Sequence, residues 1–342
     1  MTATLLPNAL DRARNAVQPA MEAAVDRLDP DSRAIAAYHL GWTEADGTPR
    51  PGGAGKGVRQ TLAVISAEVA GATAEVGVPG AVAVELVHNF SLLHDDVMDR
   101  DTERRHRRTV WSLWGESAAI LTGDAMLALA TEVLLESPSP HAAAAARELM
   151  AATRELIRGQ VADLSFESRT DVGLEECLDM ADGKTSALLA VRSCIGAILA
   201  GAPRSVVDAL RDHGRHVGAA FQLVDDLLGI WGQPEATGKP VLADLRNRKK
   251  SLPVTYVLCQ GGPAGREVAA WYAEDRPGDG DTEERLREIA ALIERASGRA
   301  WATGEAERQL RLADAALDRI DTPPAPRAEL ADLARYLTRR ES

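Results

Sequence analysis

Two groups of aspartates stand out for what carboxylates can do at their spacing. Asp95, Asp96 and Asp99 lie in LLHDDVMDRD, and Asp225 and Asp226 lie in FQLVDDLLGIW, 130 residues further along. Asp95 and Asp99 are one turn apart in a helix, so their carboxylates share a face. Like charges gathered this way are costly unless cations offset them. Hard oxygen ligands at this spacing suit Mg²⁺, which keeps some of its waters and shares the oxygens of a substrate phosphate. A solvated acidic helix end is the bland reading of the first group. It fits the second poorly, because apolar residues flank Asp225 and Asp226 on both sides and buried, unpaired carboxylates are expensive. Carboxylates that converge from two helices of a bundle form a metal site, and metal ions there would clamp a diphosphate and assist its departure.

Cations follow the same logic. Lys56 and Arg59 come after a glycine-rich loop, Pro51 to Gly55. Arg104 and Arg105 follow the first acidic group, Lys184-Thr185 follows Gly183 at an expected helix start, and Lys239 and Lys249-Lys250 follow the second group. Each alone reads as a solvated surface charge. Together they supply what an acidic protein needs to hold two anionic substrates. The five arginines between Arg100 and Arg108 are mixed with Asp101 and Glu103 and have no interleaved stacking aromatics, which favours a small anionic ligand over nucleic acid.

Helices must position these residues. Apolar side chains recur at three and four in Leu86, Val87, Phe90, Leu93 and Val97, and the same period runs through 174–199, 206–230 and 286–317. Aromatics are only 4%, and the breaks are short and rich in Gly, Pro, Asp or Ser. The expectation is an all-α fold, a single large helical bundle of about ten to twelve helices around a central cavity. Residues 31–342 form one domain, and residues 1–30 form an N-terminal helical segment or a partner contact. Lys plus Arg is 39 and Asp plus Glu is 51, a net charge of −12 that disfavours general nucleic-acid binding. The most apolar stretch, Ser186 to Ala202, is interrupted by Arg192 and is short for a bilayer, so it reads as a buried helix and no integral membrane segment is expected. The N-terminus does not read as a signal peptide. Cys177, Cys194 and Cys259 fit neither a zinc spacing nor a disulfide framework, which points to a reducing cytoplasm.

With these residues in place, the chain resembles the trans-isoprenyl diphosphate synthases, the family of farnesyl and geranylgeranyl diphosphate synthases, in wording closest to actinobacterial members. The matching motifs are GKGVR (55–59), ELVHNFSLLHDDVMD (85–99), ERR (103–105), GKTSAL (183–188), FQLVDDLLG (221–229) and, within 238–253, GKPVLADL and KKSLP. The resemblance implies the isoprenoid-synthase helical fold and a homodimer, with packaging in a larger assembly also open. It implies Mg²⁺, three ions per site bound with the diphosphate, on Asp95, Asp96, Asp99, Asp225 and Asp226. It places Lys184, Lys239 and Arg104 on the allylic diphosphate, Lys56, Arg59, His88 and Arg105 around isopentenyl diphosphate, Thr185 and Gln222 near the developing allylic cation, and Lys249 at the rim. The implied reaction ionises the allylic C–O bond, joins the cation to isopentenyl diphosphate and loses a proton to give a trans product five carbons longer.

Some positions depart from the family pattern. Gly57 replaces a frequent arginine and Gln60 a proline. Arg108 replaces the proline before Thr109, Gly229 the third aspartate of the second motif, and Arg248 the glycine before Lys249. Phe90 and Ser91, five and four residues before the first motif, are placed by the resemblance at the floor of the tail channel and suggest a C20 product, geranylgeranyl diphosphate. A terpene cyclase using the same aspartates without isopentenyl diphosphate is the alternative from another reaction class. A non-catalytic partner subunit is a third reading. The presence of Lys56, Arg59, His88 and Arg105 favours the transferase.

Overall fold

A computed structural model describes residues 5–50, 58–232, 241–274 and 281–338. Among them the regular structure is almost wholly helical: α1 (Leu5–Val25), α2 (Pro30–His39), α3 (Val58–Val69), α4 (Ala74–Met98), α5 (Val110–Trp114), α6 (Glu116–Leu135), α7 (Ala142–Ser168), α8 (Leu174–Ala181), α9 (Ala187–Leu199) and α10 (Arg204–Trp231), then α11 (Ala243–Arg246), α12 (Leu252–Gln260), α13 (Gly262–Ala273), α14 (Glu283–Arg295), α15 (Gly298–Leu317) and α16 (Pro324–Thr338). A π-helical turn, Asp182–Ser186, joins α8 to α9. The strands β1 (Glu103–Arg104) and β2 (Arg107–Arg108) make one small antiparallel hairpin. The all-α expectation is met. By compactness the chain divides into two units, Met1–Thr153 with Ala190–Gly214 and Ala316–Leu333, and Arg154–Leu189 with Arg215–Ala315 and Ala334–Ser342.

In the first unit, α1 buries Ala9, Ala13, Val17, Met21 and Val25, a stripe one turn apart at each step. Arg12 on its other side reaches Glu68 of α3 at 2.9 Å and Glu329 of α16 at 2.7 Å. The N-terminal helix is thus bound to its own chain. Asp29 caps α2 by accepting from the N–H groups of Asp31 and Ser32, with Pro30 in the first turn. Helix α4 carries the first acidic group at its C-terminal end. There Asp99 N–H donates to Asp95 O and Asp101 N–H to Asp96 O, while Arg100 takes a left-handed φ of +57°. This is the helix stop usually built on glycine.

Among the described residues two helices, α4 and α6, are long and apolar enough to cross a membrane, whereas Ser186 to Ala202 is not one of them. The apolar window of α4 is 61% buried inside the protein, and α9 buries Leu188, Leu189, Val191, Ile195 and Leu199 as expected of a core helix.

The second unit has two apolar clusters. One gathers Ile230, Leu242, Leu245, Val254, Val257, Leu286 and Ile289 around a fully buried Trp271. The other joins Phe166, Cys177, Leu223, Leu252 and Ala302. Together they fix α10, α11 and α12, the helices that bracket the second acidic group.

Candidate active site

The first unit holds Asp95, Asp96 and Asp99 on the last turn of α4. The negative end of the helix dipole makes this a poor place for carboxylates unless cations are near. One is: Arg104 Nε donates to Asp96 Oδ1 at 2.6 Å, and its guanidinium lies 3.7 Å from Asp95 Oδ2. Asp96 is 2% exposed. Burial pushes its carboxyl up to about 6, with Arg104 opposing and Asp95 and Asp101 adding to the rise.

Arg104 is placed by the hairpin, whose turn residues Arg105 and His106 both have positive φ, +52° and +59°. Two-residue hairpins need such angles, but glycine or asparagine normally supplies them. Each non-glycine residue there stores about 1–3 kcal/mol of strain, which must be held by surrounding contacts. Arg107 provides the hold. It donates to Tyr38 O at 2.8 Å and Thr43 O at 2.7 Å and stacks 4.0 Å above the Tyr38 ring, while Tyr38 Oη donates to Arg108 O.

His94, next to Asp95, has Nε2 at 3.1 Å from Ile120 O of α6 and 3.6 Å from an Asp124 carboxylate oxygen. The Phe90 ring meets His94 edge-on at 4.8 Å and is 5% exposed. Ser91 Oγ donates to His88 O, and His88 is half-buried on α4.

The second unit gathers more of the expected residues. Lys184 and Thr185 lie in the π turn, and this corrects the expected helix start: α8 runs into α9 through a widened turn, a feature common at functional sites. The turn approaches α7 so closely that a Cβ on Gly159 would fall 2.2 Å from Lys184 N. Lys184 Nζ meets Asp163 Oδ2 at 2.5 Å. Thr185 Oγ1 donates to Gln222 Oε1 at 2.6 Å, Gln222 Nε2 donates to Asp226 Oδ1 at 2.7 Å, and Leu252 N–H donates to Asp226 Oδ2 at 2.8 Å. This chain fixes the Thr185 hydroxyl and occupies both Asp226 oxygens. Asp226 is 3% exposed, and burial pushes its carboxyl up to about 7 although Lys249 pulls the other way.

Lys249 is the charge centre of this unit. Burial alone would lower its ammonium, but Asp244, Asp163, Asp226 and Asp225 together outweigh it and hold Lys249 above its ordinary value. Burial would likewise raise Asp163, but Lys184 and Lys249 hold it below the ordinary carboxylate range. Lys250 turns elsewhere and donates to Phe166 O at 2.5 Å. Gly229 also finds its reason here. A Cβ at that position would lie 2.2 Å from Asp244 Oδ2, so the Asp244 carboxylate fills the place a third aspartate of the motif would enter.

Lys56, the Arg59 side chain and Lys239 lie outside the described residues. Sequence reasoning missed Asp163 and Asp244. Both are carboxylates inside apolar runs, VADLSF and VLADL, the same signal that marked Asp225 and Asp226. It also missed Tyr38 and Arg107, whose role depends on tertiary contacts.

Among the described residues no three His, Cys, Asp or Glu side chains close a metal cage. The donor set fits Mg²⁺ all the same. It is all oxygen, with aspartates gathered beside Arg104 in one unit and beside Lys184 and Lys249 in the other. An ion that keeps waters and shares phosphate oxygens needs no complete protein cage.

An all-helical chain with paired aspartates on two helices, each beside fixed cations, is an isoprenoid-synthase-type protein. The polyprenyl synthetase family model matches residues 51–290. A (2E,6E)-farnesyl diphosphate synthase of Mycobacterium tuberculosis is 54% identical over 342 residues, 100% of this chain and 95% of that one. The crystal structure of a polyprenyl synthetase from Streptomyces coelicolor A3(2) superposes with a TM-score of 0.93 at 52% identity, covering 97% of this chain and 99% of that one. A geranylgeranyl pyrophosphate synthase from Corynebacterium glutamicum, crystallised with isoprenyl diphosphate and magnesium, gives 0.80 at 26% identity, over 98% and 99%. The chain belongs to the polyprenyl synthetase family and is a prenyltransferase.

Proposed function

We propose that the protein condenses isopentenyl diphosphate with an allylic diphosphate, with Mg²⁺ bound at each acidic group, by Asp95 and Asp99 in one and by Asp225 in the other. The observation that carries this reading is the gathering of aspartates on α4 and on α10, Asp96 and Asp226 among them buried, beside fixed cations. Asp96 and Asp226 orient their neighbours, since Arg104 holds the one and Gln222 and the Leu252 N–H hold the other. Bound Mg²⁺ supplies charge neutralisation to the departing diphosphate.

The chain's own residues do the rest. Lys184 and Lys249 present ammonium groups to the leaving oxygens, preorganised by Asp163 and the surrounding carboxylates, so little reorientation is needed as charge develops. Thr185, whose proton is committed to Gln222, turns oxygen lone pairs toward an electron-poor carbon. His88, Arg105, Lys56 and Arg59 bind the second diphosphate. Apolar helix faces keep water from the cation.

Phe90 sets product length. It meets His94 edge-on, and His94 Nε2 lies 3.1 Å from Ile120 O of α6, so the ring packs on a side chain that α6 also contacts. The 54% identical relative favours farnesyl diphosphate (C15) as the main product, ahead of the C20 product suggested by Phe90 and Ser91 in the sequence. A second copy of the chain covers the apolar side chains that α6 leaves exposed, Ile120, Leu121 and Leu135, and the homodimer forms there. Three free thiols, two of them buried, suit work in the reducing cytoplasm.

The test incubates the protein with Mg²⁺, labelled isopentenyl diphosphate and each allylic diphosphate, and separates prenyl alcohols from hydrocarbons after dephosphorylation. Prenyl diphosphate that depends on isopentenyl diphosphate is the expected result. Hydrocarbon made without it would instead establish a cyclase. Phe90→Ala should lengthen the product, and an unchanged chain length would remove Phe90 from the floor.

A further inference from the structure

Arg248 precedes Lys249 and turns its side chain to Asp281. Its Nε and one terminal nitrogen grip both oxygens of Asp281 at 3.1–3.2 Å. Its other terminal nitrogen donates to Trp271 O at 2.8 Å and Glu274 O at 2.6 Å. The guanidinium lies 4.6 Å over the Trp271 ring, and Trp271 Nε1 donates to Asp281 Oδ1 at 3.1 Å, closing the circuit. Arg248 itself is 9% exposed, with φ at +48°, an angle glycine adopts freely and arginine does not. The resemblance described above puts glycine here, so this chain holds an unfavourable backbone angle in return for a side chain that is fully engaged.

The consequence runs along the backbone. Lys249 N–H donates to Asp244 O at 2.8 Å, and Lys249 O accepts from Tyr272 Oη, the neighbour of Trp271, at 2.8 Å. Three residues further on, the Leu252 N–H holds Asp226. Every peptide that aims Lys249 is therefore anchored at the Arg248 end or the Asp226 end.

We propose that Arg248 is a positioning residue for Lys249: with Asp281 and Trp271 it forms a latch that fixes segment 248–252 and directs the Lys249 ammonium onto a substrate diphosphate. This rests on the prenyl-transfer reading for the identity of the substrate, but the latch can be tested by binding alone. A lysine cannot replace the arginine, because an ammonium lacks the planar fork that takes both Asp281 oxygens and two carbonyls at once.

The experiment measures binding of inorganic diphosphate in the presence of Mg²⁺ by calorimetry, with melting temperature recorded in parallel. It compares the wild type, Arg248→Gly, Arg248→Lys, Asp281→Asn, Lys249→Gln and the Arg248→Gly/Lys249→Gln double variant. Arg248→Gly and Arg248→Lys should each weaken binding about tenfold, Asp281→Asn less, and the double variant no more than Lys249→Gln alone, since coupled residues are not additive. Asp281→Asn, the mildest change, carries the test if the arginine variants do not fold. Wild-type binding by a folded latch variant, or losses that add in the double variant, would overturn the proposal. Coupled losses in a wild type that makes no prenyl diphosphate would leave the latch standing and remove the prenyl-transfer reading.

Discussion

The hairpin of the first unit and the 248–252 segment of the second solve the same problem with different chemistry. Each carries cations on a short irregular stretch, and each keeps non-glycine backbone in the left-handed region: Arg105 and His106 in one, Arg248 in the other. Each is braced by an arginine stacked on an aromatic ring, Arg107 on Tyr38 and Arg248 on Trp271. The difference lies in how the buried aspartate is held. Asp96 is met by a guanidinium, whereas Asp226 is met by an amide and a backbone N–H. Burial is the main cause of the rise in both carboxyls, to about 6 at Asp96 and about 7 at Asp226, with Arg104 opposing it in one and Lys249 in the other. One unit thus sets a guanidinium against Asp95 and Asp96, while the other sets Lys184 and Lys249 among its carboxylates.

Removing a proposed metal ligand from either unit should have the largest effect. Asp95→Ala and Asp225→Ala are each expected to lower kcat by on the order of 10³ or more with little change in melting temperature. A large loss for one and a minor loss for the other, in steady-state assays over a Mg²⁺ series, would show that only one unit handles metal. Asp163→Asn comes next. It removes the partner that aims Lys184, and a fall in kcat of about 10² is expected, from misdirection of a preorganised charge. Unchanged kcat would show that Lys184 finds its place without Asp163.

The aspartate groups were legible because carboxylates inside apolar runs contradict burial rules unless something pairs with them. The helices were legible from a period that persists over whole segments. Asp163 and Asp244 carry the same contradiction, but each is a single acid and so stands out less than a pair. The braces were hidden for a different reason. Nothing near Arg107 in sequence announces Tyr38, 69 residues away, and Arg248 meets Asp281 only after 33 more residues have folded. The π turn at Lys184 was also unreadable, since a single inserted residue barely disturbs the apolar period and its close approach depends on Gly159 in another helix. Gly229 looked like a loss from the motif until the Asp244 carboxylate was found in its place.

Arg107→Ala sharpens the comparison of the braces. It deletes two charge-assisted bonds to carbonyls and the stacking on Tyr38, so a loss of about 2–3 kcal/mol is expected in denaturant unfolding. The KM for isopentenyl diphosphate should rise several-fold while that for the allylic substrate holds. A rise confined to the allylic substrate would mean that the hairpin and the 248–252 segment serve the same diphosphate.

The smallest expected effect concerns His39, at the end of α2 beside the hairpin. Burial first, and then Arg104, Arg105 and Arg107, push its imidazole down to about 3, with Asn89 opposing weakly. In the unfolded chain a histidine titrates near 6.5. Between these values the unfolded chain takes up a proton that the folded chain refuses, so stability is full above about pH 6.5 and falls as pH falls, by up to about 1.4 kcal/mol per pH unit. His39→Gln cannot titrate and should lose less stability in acid. Denaturant midpoints of wild type and variant should run parallel above pH 7 and converge or cross as the pH drops toward 5. Curves that stay parallel throughout would show that His39 takes up its proton in the folded state. The cations of the hairpin would then be screened from it, and the first unit would be as open to solvent at this point as the arginine turn it supports.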